Sequence, residues 1–273
     1  MPRAKSRINP FLIVGGVLLA AYMILALFGE HLAPYGEDAQ DLLAALGSPD
    51  GTHLFGTDEI GRDVLSRVII GTRYTLFVAV VSVIFASGIG IPLGLVSGFL
   101  GGQVDAVITT LVDLFLTIPL LILAIAIAAV AGAGMTGLIT ATSITFAPPI
   151  ARLIRSRVLE LREEDFVIAS QAIGSNDGRV LFRHVLPNTA TIVFIETTLR
   201  AGQAVLVGSA LGFLGLGVSP PTPEWGTMLS RGREYMEVAP HLVFAPGLAI
   251  SVLVLSFNML GDGLRDLFDP HSE

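Results

Sequence analysis

The chain has 273 residues, 23 acidic against 16 basic side chains, and 52% hydrophobic against 14% charged residues. Soluble domains carry about 45–50% apolar and about 25% charged residues, so this chain lacks the charge to cover a water-facing surface. With a mean hydropathy of +0.75, it is neither disordered, fibrous nor an ordinary cytosolic protein, and its acidic balance argues against a nucleic-acid partner. A polytopic membrane protein remains.

A helix that crosses a bilayer needs about 20 mostly apolar residues. Six spans meet that requirement: Phe11–Phe28, Tyr74–Leu100, Ala106–Ala131, Gly134–Ala151, Ala190–Leu214 and Leu242–Leu260. The expected fold class is therefore all-α, a membrane helical bundle. Arg3, Lys5 and Arg7 ahead of the first span would also suit a signal peptide. Its apolar run exceeds the usual length of about 7–15 residues, and no small-x-small cleavage site follows Phe28, so a retained span is expected. A long polar segment then completes an N-terminal unit, residues 1–73, ahead of the main bundle, 74–273.

In the second span Ser82, Ala86, Gly90, Gly94 and Gly98 recur every four residues. Small residues on one face let helices approach closely, and the stripe reads as a packing seam within the chain or between subunits, against a background of glycine richness common to membrane helices. Pro92 is expected to bend this helix. The fourth span is diluted by Thr140, Thr142, Ser143 and Thr145 and interrupted by Pro148-Pro149. With the N-terminus inside, ten Lys and Arg fall on inner segments (Arg3, Lys5, Arg7, Arg152, Arg155, Arg157, Arg162, Arg179, Arg183 and Arg265). Arg62, Arg67, Arg73, Arg231 and Arg233 fall outside, which favours both termini in the cytoplasm.

Between spans four and five, residues 152–188 mix charges with Phe166, Val167, Ala169, Ala172 and Ile173 at helical spacing. Gly174 suits a helix C-cap and Ser175 the N-cap of a second helix, which Pro187 is expected to stop. Two short helices with a tight turn would then present Phe166, Ala169, Ser170 and Ile173 to the cytoplasm.

Here the residues become specific. Ile168-Ala169-Ser170-x-x-x-Gly174, nine residues, then His184-x-Leu186-Pro187 resembles the Glu-Ala-Ala loop of bacterial ABC importer permeases. Ala169, Gly174, Leu186 and Pro187 fall on that motif, Ser170 is a small-for-small change, and Ile168 stands where the family has its glutamate. Glu163, Glu164 and Asp165 lie nearby to supply acidity. Three further stretches resemble oligopeptide and dipeptide importer permeases, a family that includes nickel permeases. They are His53-x-Phe55-Gly56-Thr57-Asp58-x-x-Gly61-Arg62-Asp63, Leu211-x-Phe213-Leu214-Gly215-Leu216-Gly217 through Pro220-Pro221-Thr222-Pro223-x-Trp225-Gly226, and Phe257-Asn258-x-Leu260-Gly261-Asp262-Gly263 through Asp269-Pro270.

The resemblance implies a permease subunit in the bacterial inner membrane, surrounded by lipid. Its implied partners are a second, related permease, two ATP-binding subunits and an extracytoplasmic substrate-binding protein. Phe166, Ile168, Ala169, Ser170, Gly174, His184, Leu186 and Pro187 would form the loop that docks on the ATPase. Peptide cargo is implied, with nickel as an alternative. The proline run would hold an ordered external loop, Trp225 suits a membrane–water boundary, and Gly261 and Gly263 would end the last span ahead of a short surface helix.

Ionisable side chains inside spans cost about 2.5–3.5 kcal/mol on insertion scales and are functional candidates. Asp113, Glu196 and Arg200 stand out; Glu196 and Arg200 share a helical face and can pair. Each reads either as pathway lining or as a structural group, Asp113 at a solvated mouth and the other two as a self-neutralised pair. His31, His53, His184, His241 and His271 lack metal-ligand spacing, and there is no cysteine for thiolate or zinc chemistry. The single lysine, Lys5, precludes a Gly-Lys-Ser/Thr phosphate loop. Neither a cofactor nor an enzymatic activity is expected, and ATP hydrolysis would belong to other subunits. A stand-alone ion-coupled transporter is the competing reading, but no inverted repeat is visible.

Overall fold

The computed structural model describes residues 9–268. Arg3, Lys5 and Arg7, and likewise Asp269, Pro270 and His271, lie outside the described residues. Within them ten α-helices follow one another: α1 (Pro10–Leu32), α2 (Val64–Leu100), α3 (Gly102–Thr117), α4 (Leu120–Ala131), α5 (Met135–Arg162), α6 (Asp165–Ala172), α7 (Asp177–Val180), α8 (Leu186–Leu211), α9 (Trp225–Gly232) and α10 (His241–Phe268). Five helical stretches are long and apolar enough to cross a bilayer: α1, α2, α5, the run Asp177–Leu216 that contains α8, and α10. The sixth span is broken. Helices α3 and α4 meet at 96°, where a single straight helix was expected over Ala106–Ala131. Pro119 has no N–H to donate and forces Ile118 into an extended conformation (φ −86°, ψ 129°), which ends α3.

The small-residue stripe of α2 is an intrachain seam. A Cβ on Gly94 would stand 2.5 Å from the Ala151 carbonyl oxygen, one on Gly90 2.6 Å from that of Ala147, and one on Gly98 2.8 Å from Val158 Cβ. Ala86 and Ser82, one and two turns earlier, are fully buried. Because both residue series rise together, α2 and α5 run parallel, and backbone contact substitutes for the hydrophobic drive that lipid does not provide. The same contact brackets Pro148 and Pro149, and α5 continues through them. It reaches Arg162, eleven residues beyond the expected end of span four, and carries Arg152, Arg155 and Arg157 with it.

At the opposite edge α1 lies on α10. Gly15 faces the Leu260 amide, Gly263 receives Leu12, and Tyr22 donates to the Ala249 carbonyl at 2.9 Å. Gly261 accepts the Leu199 side chain. Gly261 and Gly263 are contact points within α10 and do not end it, so Leu264 and Leu267 belong to the same helix.

Segments 33–63 and 217–240 cap the bundle at one end. Trp225 is fully buried there, donating to the Val68 carbonyl at 3.0 Å with its ring edge-on to Tyr22 at 6.0 Å. It is core, where a membrane–water anchor was expected. Gly71 makes room for it, since a Cβ would fall 2.9 Å from the indole and 2.1 Å from the Pro223 oxygen.

Candidate functional site

The end of the bundle opposite this cap carries the loop between α5 and α8. Two residues separate α5 from α6. Gly174 follows α6 with φ +85°, a left-handed conformation that glycine adopts without steric strain, and donates to the Gln171 carbonyl at 2.9 Å. The next helix is capped by Asn176, whose Oδ1 accepts from the Arg179 amide at 2.8 Å; Ser175, the expected cap, instead donates its amide to the Ser170 carbonyl. Pro187 does not stop that helix. A π-helical turn, Leu181–Val185, leads into the first turn of α8, where Pro187 sits, and the two merge into one span.

Val167, Val180, Val185 and Thr189 turn inward. Phe166, Ile168, Ala169 and Pro187 turn outward, with Phe182 and Ile173, the last 84% exposed. Ser170 was expected on the outward face but is buried, because its position shares the inward side of α6 with Val167. His184 is half-buried with its ring centroid 6.4 Å from that of Phe166, and Leu186 sits beside the buried Val185. The loop is thus a short helix held at the tips of two long ones, with an apolar outer surface.

The three intramembrane candidates do not meet. Asp113 on α3 accepts from Arg152 Nη2 on α5, and one helical turn or two nearer the loop end Arg155 grips Asp105 with two bonds of 2.6 Å, Ser97 donating to the same carboxylate. Asp113, Arg152 and Arg155 border a cavity of about 450 Å³ that Ser97, Thr109 and Ser156 also line. A separate, larger cavity of about 570 Å³ lies between α5, α8 and the end of α10. Glu196, Arg157, Glu160 and Arg265 line it. At its inner end Arg200 Nε donates to Glu196 at 2.6 Å and Nη1 to Gln203 at 2.8 Å, and the guanidinium lies 5.9 Å from the Phe146 ring centroid. Glu196 and Arg200 thus form the expected i, i+4 pair.

Sequence reasoning missed Arg152, Arg155 and Asp105 as partners, since pairs 39 and 50 residues apart leave no local signal. It also missed Glu224. That carboxylate is buried and accepts from the Gly226 and Thr227 amides, each at 2.8 Å, capping α9. Burial pushes its pKa above the ordinary value despite these bonds. The signal was a Glu directly ahead of Trp225-Gly226, a position where Ser, Thr, Asp or Asn is the usual cap. Among the described residues no group of His, Asp and Glu could hold a metal ion.

The family profile described as "Binding-protein-dependent transport system inner membrane component" matches residues 90–273. The dipeptide transport system permease protein DppC of Alkalihalophilus pseudofirmus is 40% identical over 262 residues, 96% of this chain and 86% of that protein. The glutathione transport system permease protein GsiD of Pectobacterium atrosepticum is 38% identical over 259 residues, 94% and 86% of the respective chains. A putative peptide permease of Brucella suis is 40% identical across 100% of this chain and 92% of its own. Among solved structures, an inward-facing form of the MetNI methionine ABC transporter superposes with a TM-score of 0.64 at 19% identity, over 77% of this chain and 100% of that one, a likeness of fold. The chain belongs to the inner-membrane components of binding-protein-dependent transport systems, as the permease subunit of an ABC importer.

Proposed function

We propose that this permease imports di- or oligopeptides, working beside a second, related permease chain, two ATP-binding subunits and an extracytoplasmic binding protein. The single observation that carries the coupling role is the outward apolar face of α6. Phe166, Ile168, Ala169 and Ile173 gain nothing from water and sit where two spanning helices converge. An ATPase groove that buries this face would move α5 and α8 together, because no flexible linker intervenes. Ile168 replaces a charge with apolar area on that same face, so docking rests on burial more than on ion pairing. Both termini then lie in the cytoplasm, in keeping with the Lys and Arg distribution, and the ATPases perform the hydrolysis. Peptide cargo follows from the relatives named for dipeptide, peptide and glutathione transport. Residues 74–273 would form the transporter domain, with residues 1–73 adding the α1 buttress and part of the cap.

Co-expression with the cognate ATPases and second permease tests the reading. The expected result is a stable complex whose proteoliposomes take up dipeptide only with ATP and binding protein. Proton-driven uptake by this chain alone would overturn it.

A further inference from the structure

Helix α3 is nearly bare: Val112 is its one buried residue, and Gln103, Thr110, Asp113 and Thr117 stand exposed on it. Asp113 belongs to the bent α3–α4 pair, a candidate span, and the side chains of its ion pair with Arg152 are 59% and 58% exposed in this chain. Charged groups on a spanning helix face water-filled cavities or protein, since hydrocarbon offers them no solvation. The adjoining cavity is lined by Ser97, Thr109 and Ser156 together with the apolar Ile108, Val112 and Ala151, a mixed surface that can admit water.

The two ion pairs between α3 and α5 differ in kind. Asp105 and Arg155 are joined by two parallel bonds, reinforced by Ser97 and largely shielded, and so fix α3 to α5. Asp113 and Arg152 share a single bond in an open position, which leaves guanidinium donors and a carboxylate oxygen unused. Arg152 stands on α5, the helix that leads to α6, and Asp113 on α3.

The geometry points to Asp113 and Arg152 as a separable zwitterionic pair that lines the cargo route and exchanges its own bond for the ammonium and carboxylate of a cargo with free termini. The inference rests on the peptide reading above and adds a reader of charge within the permease itself. The chain's lack of cysteine makes it testable. In the complete transporter in lipid nanodiscs, open to both faces, Thr109→Cys should react with a charged, membrane-impermeant methanethiosulfonate. Millimolar alanyl-alanine should slow that reaction at least fivefold, and the N-acetylated, amidated dipeptide should leave it unchanged. Protection should vanish in the Arg152→Gln background and persist with Arg152→Lys.

Absence of labelling in every nucleotide state would mean that a second permease or lipid covers this face, and would overturn the inference. Equal protection by the blocked dipeptide, or equal behaviour of the Gln and Lys variants, would overturn it too. Wild-type uptake of alanyl-alanine separates the two readings. Uptake without protection removes this inference alone, whereas no ATP-dependent peptide uptake removes the peptide reading and this one with it.

Discussion

The two ends of the bundle solve opposite problems. At the cap, charge is buried and saturated. Arg62 Nε meets Asp58 at 2.6 Å with both side chains almost fully enclosed, and Arg67 spans the Glu37 and Pro221 carbonyls at 2.9 and 3.0 Å, tying both cap segments to α2. Asp63 caps α2 through the Ser66 amide and also meets His53 at 2.9 Å. Gly61 takes φ +77° with the Asp41 oxygen 1.8 Å from where a Cβ would be, so the turn there admits no side chain. At the loop end the pattern inverts: apolar side chains face out, and the Arg152–Asp113 pair stands open. The cap pairs its buried charges within the chain while exposing Leu43 and Val238, and the loop end leaves Ile173 and Phe182 to solvent beside an open ion pair. On the coupling role proposed above, the end left open would be the one that docks the ATPase.

Removing one member of an enclosed pair should produce the largest effect. Arg62→Met strips the buried Asp58 carboxylate of its 2.6 Å partner and leaves only Arg67 Nε, at 3.7 Å, as a cation, a loss that can cost up to about 3–5 kcal/mol. Thermal unfolding of the detergent-purified protein should show a collapse of stability or loss of folded yield. A stable Arg62→Met protein would break the contrast between the ends. Next comes the seam that joins them. Gly94→Ala pushes a Cβ into the Ala151 oxygen and Ile154, and overpacking of this kind costs about 1–3 kcal/mol. Gly88→Ala, which meets nothing within 4 Å on the same helix, should leave the melting temperature unchanged.

A smaller, pH-dependent effect belongs to Glu224. Its folded-state pKa is raised by burial, so its contribution to stability is fully present below the unfolded value near 4.5 and is lost as pH rises through the folded value. Glu224→Gln keeps an acceptor oxygen and removes the charge. Its melting temperature should therefore hold steady from pH 4.5 upward where that of the parent falls; identical slopes would show that the carboxylate ionises without penalty in the cap.

What could be read from sequence tracks how local each cause is. The apolar runs of α1, α2 and α10 and the four-residue stripe of α2 are periodicities within one segment, so they were legible, as were Gly174 and the Glu196–Arg200 pair. Hydropathy cut span four at Arg152 because it registers arginines as solvent-seeking, whereas Asp113 and Asp105 from α3 neutralise Arg152 and Arg155 in place. Pro119 was visible and its consequence overlooked, since a composition window averages over the extended residue before it. Pro187 misled in the other direction, because a π turn absorbs it. Trp225 and Glu224 share this cause: only the fold brings Val68, Tyr22 and Gly71 to the indole.

A substitution with almost no effect on the chain itself isolates the loop end. Ile173 is 84% exposed next to the Gly174 turn, and surface substitutions of this type fall within about ±0.5 kcal/mol. Ile173→Asp should therefore match the parent in melting temperature and in insertion. In the assembled transporter the same carboxylate would have to be desolvated against the ATPase, so co-purification should weaken by at least tenfold while the second permease stays bound. An equal tenfold loss for Ile173→Ala would assign the effect to apolar area, and a loss confined to Asp would assign it to charge. If neither variant releases the ATPase, docking uses another face of the loop, with Phe182 and Arg183 on the far side of the turn as the surface to probe.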